Sequence, residues 1–147
     1  MRLILMLIVS CMTMRSEFLR IEVFMKDMNC PSCSESLGKA FEKMRGVRHV
    51  DVSMDKGTVT LELADQNRLT IEQVWDAIKR VGFTPGDTKV TVRGAVQGNS
   101  LTISVIEKIV DIEGRTPQGE VAIKGTITPP VDPRVRITLR VPDGNEQ

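Results

Sequence analysis

The order in which hydrophobic periods change along residues 19–93 constrains the fold of this chain more than any other feature. Leu19, Ile21, Val23 and Met25 alternate with Arg20, Glu22, Phe24 and Lys26, the period-two pattern of a strand with one buried face. A helical pattern follows, with Cys33, Leu37, Ala40, Phe41 and Met44 on one face and Gly46 as the stop. Ser32 and Glu35 read as a capping box for this helix, and Pro31 as its first residue is the alternative start. Val50, Val52 and Met54 then form a strand, Asp55-Lys56-Gly57 a turn, and Val59, Leu61 and Leu63 the hairpin partner. Thr70 and Gln73 make a capping box for a second helix, whose apolar face is Ile71, Val74, Trp75, Ile78 and Val81 and whose stop is Gly82. Lys89-Val90-Thr91-Val92-Arg93 is the next strand, delayed by a Thr84-Pro85-Gly86-Asp87 turn.

Strand, helix, strand, strand, helix, strand is the βαββαβ split unit known as ferredoxin-like, an α+β domain expected over residues 18–93. After it the pattern changes to short strands between turn residues: Val92 to Val96, Leu101 to Val105, Ile109 to Ile112, Val121 to Ile127 and Val135 to Val141. That spacing predicts a small all-β domain, OB-like or SH3-like, over residues 94–147. Gly94 and Gly125 read as bulge or bend positions, and Pro129, Pro130 and Pro133 bound the last strand. The strand at residues 88–96 is placed to complete the first sheet and begin the second.

Met28-Asn29-Cys30-Pro31-Ser32-Cys33 lies between the first strand and the first helix, so two thiols share one tight loop. Soft thiolates prefer soft ions such as Cu(I), whereas Mg²⁺ and Ca²⁺ seek oxygen. The amino end of a helix favours thiolate through its free N–H groups and positive dipole end, and Cys33 gains most from it. Cys30, Cys33 and an isolated Cys11 are too few for the disulfide framework of a small secreted scaffold. With His49 the only histidine, a four-ligand structural zinc site within one chain is also excluded. Zinc would need a ligand from a second molecule or an exogenous one, other soft divalent ions are further candidates, and the expected state is a monomer or a metal-bridged dimer. Alternation turns His49 to solvent, and Met25, Met44 and Met54 fall on faces read as buried. Beyond Met54 the chain holds no His, Cys or Met, so the carboxy-terminal part adds no soft ligand.

Charge narrows the partners. Twenty basic and 19 acidic residues, spread along the chain, give a net charge of +1 and no basic tract for nucleic acid. Four Phe, one Trp and no Tyr supply few stacking platforms for single strands.

Met28, Cys30 and Cys33 in an M-x-C-x-x-C loop, Gly46-Val47 after the first helix and Gly82-Phe83 after the second make the chain resemble the heavy-metal-associated domain family, over about residues 18–93. That family includes copper chaperones, the periplasmic mercury-binding protein and amino-terminal domains of copper-transporting ATPases. The resemblance implies near-linear coordination of Cu(I) or Hg(II) by Cys30 and Cys33. Met28 would buttress the loop from the core without ligating, and Phe83 would pack near the cysteines, where mercury-binding and ATPase domains also carry an aromatic. Two ligands leave the ion open to a third thiol, which is how the family is understood to hand metal to a transporter or ATPase. The chain departs from the family in carrying Asp27, where Gly is common before the Met, and in the Thr84–Asp87 turn.

Met1-Arg2 followed by the apolar run Leu3–Val9 has the arrangement of a secretory leader. Ile8-Val9-Ser10-Cys11 resembles a lipoprotein signal whose Cys11 becomes lipid-modified. The expectation is a leader over residues 1–17 and a periplasmic or lipid-anchored protein, with a cytoplasmic protein as the alternative. The chain therefore reads as a binding protein, not an enzyme, that carries a soft metal ion to a membrane transporter. The alternatives are a dithiol redox protein, since lowered thiol pKa values serve that chemistry too, and an interaction module controlled by metal.

Overall fold

The computed structural model describes residues 17–106, 108–132, 134 and 136–142. The first half is β1 (Glu17–Met25), α1 (Pro31–Glu42), β2 (Val47–Ser53), β3 (Thr58–Leu63), α2 (Ile71–Val81) and the long β4 (Pro85–Gln97). Its strands lie in the order β2-β3-β1-β4, every pair antiparallel. This is the ferredoxin-like βαββαβ arrangement. Ile21, Val23, Val59 and Leu61 on the inner face share one core with Leu37 and Phe41 of α1 and Val74, Trp75 and Ile78 of α2. Arg20 and Phe24 look out from the other face.

Helix α2 starts and stops where its sequence signals stand. The Thr70 side chain accepts from the Gln73 N–H, the Gln73 side chain accepts from the Thr70 N–H, and Gly82 ends the helix at φ 104. Inside the core, the Trp75 indole N–H donates to Thr88 Oγ1 at 3.0 Å, and the Thr88 hydroxyl donates to the Gly86 carbonyl at 3.0 Å. The two polar groups buried between α2 and β4 are thus both satisfied.

Beyond β4 come β5 (Ser100–Ile103), β6 (Lys108–Glu113), β7 (Gly119–Ile127) and β8 (Thr138–Arg140). Pairing runs β4-β5-β6-β8-β7 and returns to β4, which closes a ring of five strands. Only β6 and β8 in that ring are parallel. Val92, Val96, Leu101, Ile103, Val110, Ile112, Ile123, Ile127 and Leu139 fill it. Strand β4 serves both halves: Glu17–Met25 pairs along its residues 85–93 on one edge, β5 continues that edge at residues 95–97, and β7 covers residues 88–96 of the other edge. The side chains of Lys108 and Glu72 form an ion pair from β6 to α2, and burial pushes the Lys108 ammonium down from its ordinary pKa.

Several local expectations change. The segment Thr84–Asp87 does not delay the strand, because β4 begins at Pro85, which pairs with Met25. Proline is tolerated there as the first residue of a strand, and a Cβ on Gly86 would stand 3.1 Å from the Phe24 carbonyl, which suits glycine. Met54 lies past the end of the edge strand β2 and is 38% exposed, not buried. Residues 104–106 turn into a short 3₁₀ segment instead of extending β5 to residue 105, and β8 is shorter than the expected 135–141. At Gly94 and Gly125 the β4–β7 register is unbroken, so neither is a bulge. Their role is close approach: a Cβ on Gly94 would meet the Thr102 carbonyl at 2.6 Å, and one on Gly125 the Arg140 carbonyl at 2.6 Å.

Two glycine substitutions test this packing in opposite directions. Gly125→Ala should destabilise by about 1–3 kcal/mol, since backbone has to move. Gly38→Ala, mid-helix with its nearest neighbour at 3.7 Å, should stabilise by about 0.5–1 kcal/mol. Urea unfolding of the two variants beside the parent chain measures both.

Candidate metal site

Strand β1 ends at Met25, whose N–H donates to the Gly57 carbonyl of the β2–β3 turn at 2.8 Å. The chain then turns, with the Asn29 N–H donating to the Asp27 carbonyl at 3.0 Å. Met28 is buried at 7% exposure and belongs to the core. It fixes the loop from below, and the next residues rise to the surface.

Cys30 caps α1. Its backbone is extended at φ −114 and ψ 105, Pro31 follows at the first helical position, and Cys30 Sγ accepts from the Cys33 N–H at 3.3 Å. The cap is therefore Cys30 and not the expected Ser32, and the alternative start at Pro31 holds. Pro31 has no N–H to leave unpaired in the first turn, which explains the choice. Glu35, the other half of the expected box, is turned to solvent and accepts from Lys39 Nζ at 2.6 Å. That hydrogen bond, with the attraction of the ammonium, lowers the Glu35 pKa and raises that of Lys39.

Cys30 and Cys33 are joined as a disulfide with their Cα atoms 5.2 Å apart. Both are half-buried, and Cys33 packs against the core. The Cys33 N–H donates to Cys30, so at this helix end the hydrogen bond favours the first sulfur rather than the second. No acidic residue stands in the first turn of α1 to oppose a thiolate. Ser32 Oγ lies 3.4 Å from Cys30 Sγ. Ser34, which the sequence pattern does not single out, is buried and donates its hydroxyl to the Cys30 carbonyl at 3.1 Å. A serine three positions beyond Pro31, at the start of the helix, is the only signal that would have found it.

Phe83 follows the left-handed Gly82, donates its N–H to the Ile78 carbonyl at 3.2 Å and is buried at 7% exposure in the same core as Met28. His49 stands exposed on β2, opposite Glu62. Cys11 and residues 1–16 of the expected leader lie outside the described residues, and Glu17, set at its end, is instead the buried first residue of β1. Among the described residues no group of three or more His, Cys, Asp or Glu gathers as a further metal site, and no helix is long and apolar enough to cross a membrane.

A ferredoxin-like βαββαβ unit with two adjacent sulfurs at the start of its first helix defines a class of small thiol-bearing binding domains. Residues 22–84 match the model of the heavy-metal-associated domain, and the chain belongs to that family. It is 34% identical over 56 residues to the copper chaperone CopZ of Staphylococcus haemolyticus, covering 38% of this chain and 81% of the relative. It is 30% identical over 70 residues to the copper chaperone CopZ of Staphylococcus saprophyticus, covering 48% and 96%. A solved structure described as CopZ metallochaperone superposes with a TM-score of 0.42 at 24% identity, over 45% of this chain and 97% of the other. Residues beyond 84 fall outside the family match.

Because Met28 holds the loop by burial alone, Met28→Ala should lower stability by about 2–5 kcal/mol. Urea denaturation of the oxidised protein measures the loss, and an unchanged midpoint would show that the loop stands without this anchor.

Proposed function

We propose that the reduced chain binds one soft metal ion between Cys30 and Cys33 and passes it to a metal-transporting membrane protein or ATPase. The observation that carries this reading is the pair of adjacent, half-buried sulfurs at the amino end of α1, held up by the buried Met28. Membership of the heavy-metal-associated family and the names of the two chaperone relatives support it. Those names favour Cu(I), and Hg(II) is the second choice because two thiolates suit any soft, linear ion. Reduction of the disulfide yields two thiols, and each loses a proton on binding metal. With two protein ligands the ion stays open to a thiolate of the partner, so one S–metal bond forms as another breaks and the ion never enters water. Such a chain is a carrier and not an enzyme.

The five-stranded ring has the strand number of an OB-like barrel, and we read residues 94–147, with the shared strand β4, as that second domain after a metal domain over residues 18–93. An exported protein anchored through lipid on Cys11 accords with the apolar leader. The disulfide itself favours one other reading, a dithiol redox protein, in which Cys30 and Cys33 exchange with the thiols or disulfide of a substrate.

Native mass spectrometry of the reduced, anaerobic protein, offered Cu(I), Hg(II), Zn(II) or Cd(II) under chelator competition, separates these readings. The carrier retains one Cu(I) or Hg(II) per chain, and the Cys30→Ser, Cys33→Ser variant retains none. Retention of no ion, together with turnover of a disulfide substrate, supports the redox reading instead. A metal-bridged dimer would show in the same spectra as one ion per two chains.

A further inference from the structure

Where β1 runs into the cysteine loop, the two halves of the molecule enclose a groove of about 860 Å³ whose walls include Phe24, Lys26, Pro85, Lys89, Pro129 and Val131. One wall is β1 and the start of β4. The other is the segment after β7, which lies outside the family match. The walls are tied together by β4–β7 pairing and by the Thr128 hydroxyl, which donates to Asp87 Oδ1 at 2.7 Å. The groove is thus a rigid feature of this chain's own extension.

Its chemistry is apolar with a cationic rim. Phe24 is 37% exposed and Val131 fully exposed, and they are two of the four large hydrophobic side chains left exposed among the described residues. Lys89 stands opposite Glu22 in the β1–β4 register, yet the Glu22 carboxylate turns away to Arg20 at 3.8 Å and Thr60 at 3.4 Å. The Lys89 ammonium lies instead over the Phe24 ring, 5.5 Å from its centroid. Lys26 makes no ion pair among the described residues, and the one carboxylate of the groove, Asp87, is engaged by Thr128. Apolar surface left open beside uncompensated cations is costly to leave in water and fits a complementary protein surface.

We propose that this groove docks an extended, acidic segment of a partner protein, with an apolar side chain seated between Phe24 and Val131 and flanking carboxylates on Lys26 and Lys89. The groove opens at the end of the molecule that carries the cysteines, since Lys26 and Thr84 directly adjoin the loop and Phe83. A segment held there brings its own protein against Cys30 and Cys33. That the occupant is the metal-exchanging partner rests on the carrier reading; the groove and the chemistry of what it binds do not.

The test is amide chemical-shift mapping on the isotopically labelled full chain, titrated with a short peptide alternating Leu with Asp and Glu, with its Lys-for-acid counterpart, and with vesicles of anionic lipid. The acidic peptide should move resonances of Phe24, Lys26, Lys89 and Val131 and bind about tenfold more weakly to the Lys26→Glu, Lys89→Glu variant, and Val131→Asp should weaken it independently. Equal binding of both peptides, shifts confined to another surface, or binding to vesicles without binding to the peptide would overturn the proposal. Both groove variants should keep their metal stoichiometry, and the Cys30→Ser, Cys33→Ser chain should keep the peptide, so the groove and the metal site fail separately.

Discussion

Backbone pairing along both edges of β4 is the constraint on which the rest of the molecule depends. On one edge β1 occupies residues 85–93, and on the other β7 occupies residues 88–96. Over residues 88–93 the strand is paired on both edges and offers no open edge to template association, and the carboxy-terminal strands close their ring onto it. The same strand receives α2 through the Trp75–Thr88 hydrogen bond. The cysteine loop follows the end of β1, where Met25 pairs with Pro85 at the start of β4. Met28 and Phe83 reach the core from the two ends of that region.

A helix start is a natural place for a sulfur that must bind and let go. The first-turn N–H groups and the helix dipole favour thiolate, and in this chain the Cys33 N–H is aimed at Cys30. Half-burial leaves both sulfurs partly open to solvent, and Cys33 rests on apolar side chains of the core. The same arrangement lets the two sulfurs oxidise to each other, so metal binding by this pair requires the disulfide to be reduced first.

The sequence made the local grammar of the first half legible. Thr70, Gln73 and Gly82 mark a helix by side-chain and backbone bonds that close within a few residues, and the hairpin around Gly57 follows from alternation and a turn. The cap of α1 was harder to read, because Ser32 and Glu35 match the capping pattern while Pro31 one residue earlier already fixes the start and leaves Cys30 as the cap. Pro85 and Gly86 carry turn signals, yet tertiary pairing with β1 draws them into a strand. Phe18 is buried beside a bulge that shifts the register between Phe18 and Arg20, and simple alternation from Leu19 onward could not foresee it. The strands of the second half and an OB-like or SH3-like domain were expected from the sequence, but the strand partners were not: ring closure rests on β6–β8 and β4–β7 pairing between residues distant in sequence, which no local pattern encodes. Gly94 and Gly125 stood out in the sequence as breaks in strand patterns, and the crowding by a neighbouring carbonyl that each one relieves could be seen only in the structure.

The most direct test of the central claim, that Cys30 and Cys33 together hold the ion, is X-ray absorption at the copper K-edge on the reduced protein loaded with one equivalent of Cu(I). The predicted result is a first shell of sulfur from two ligands with an edge characteristic of low-coordinate Cu(I), absent from the Cys30→Ser, Cys33→Ser protein. A first shell of nitrogen or oxygen, or the same spectrum from the variant, would contradict it.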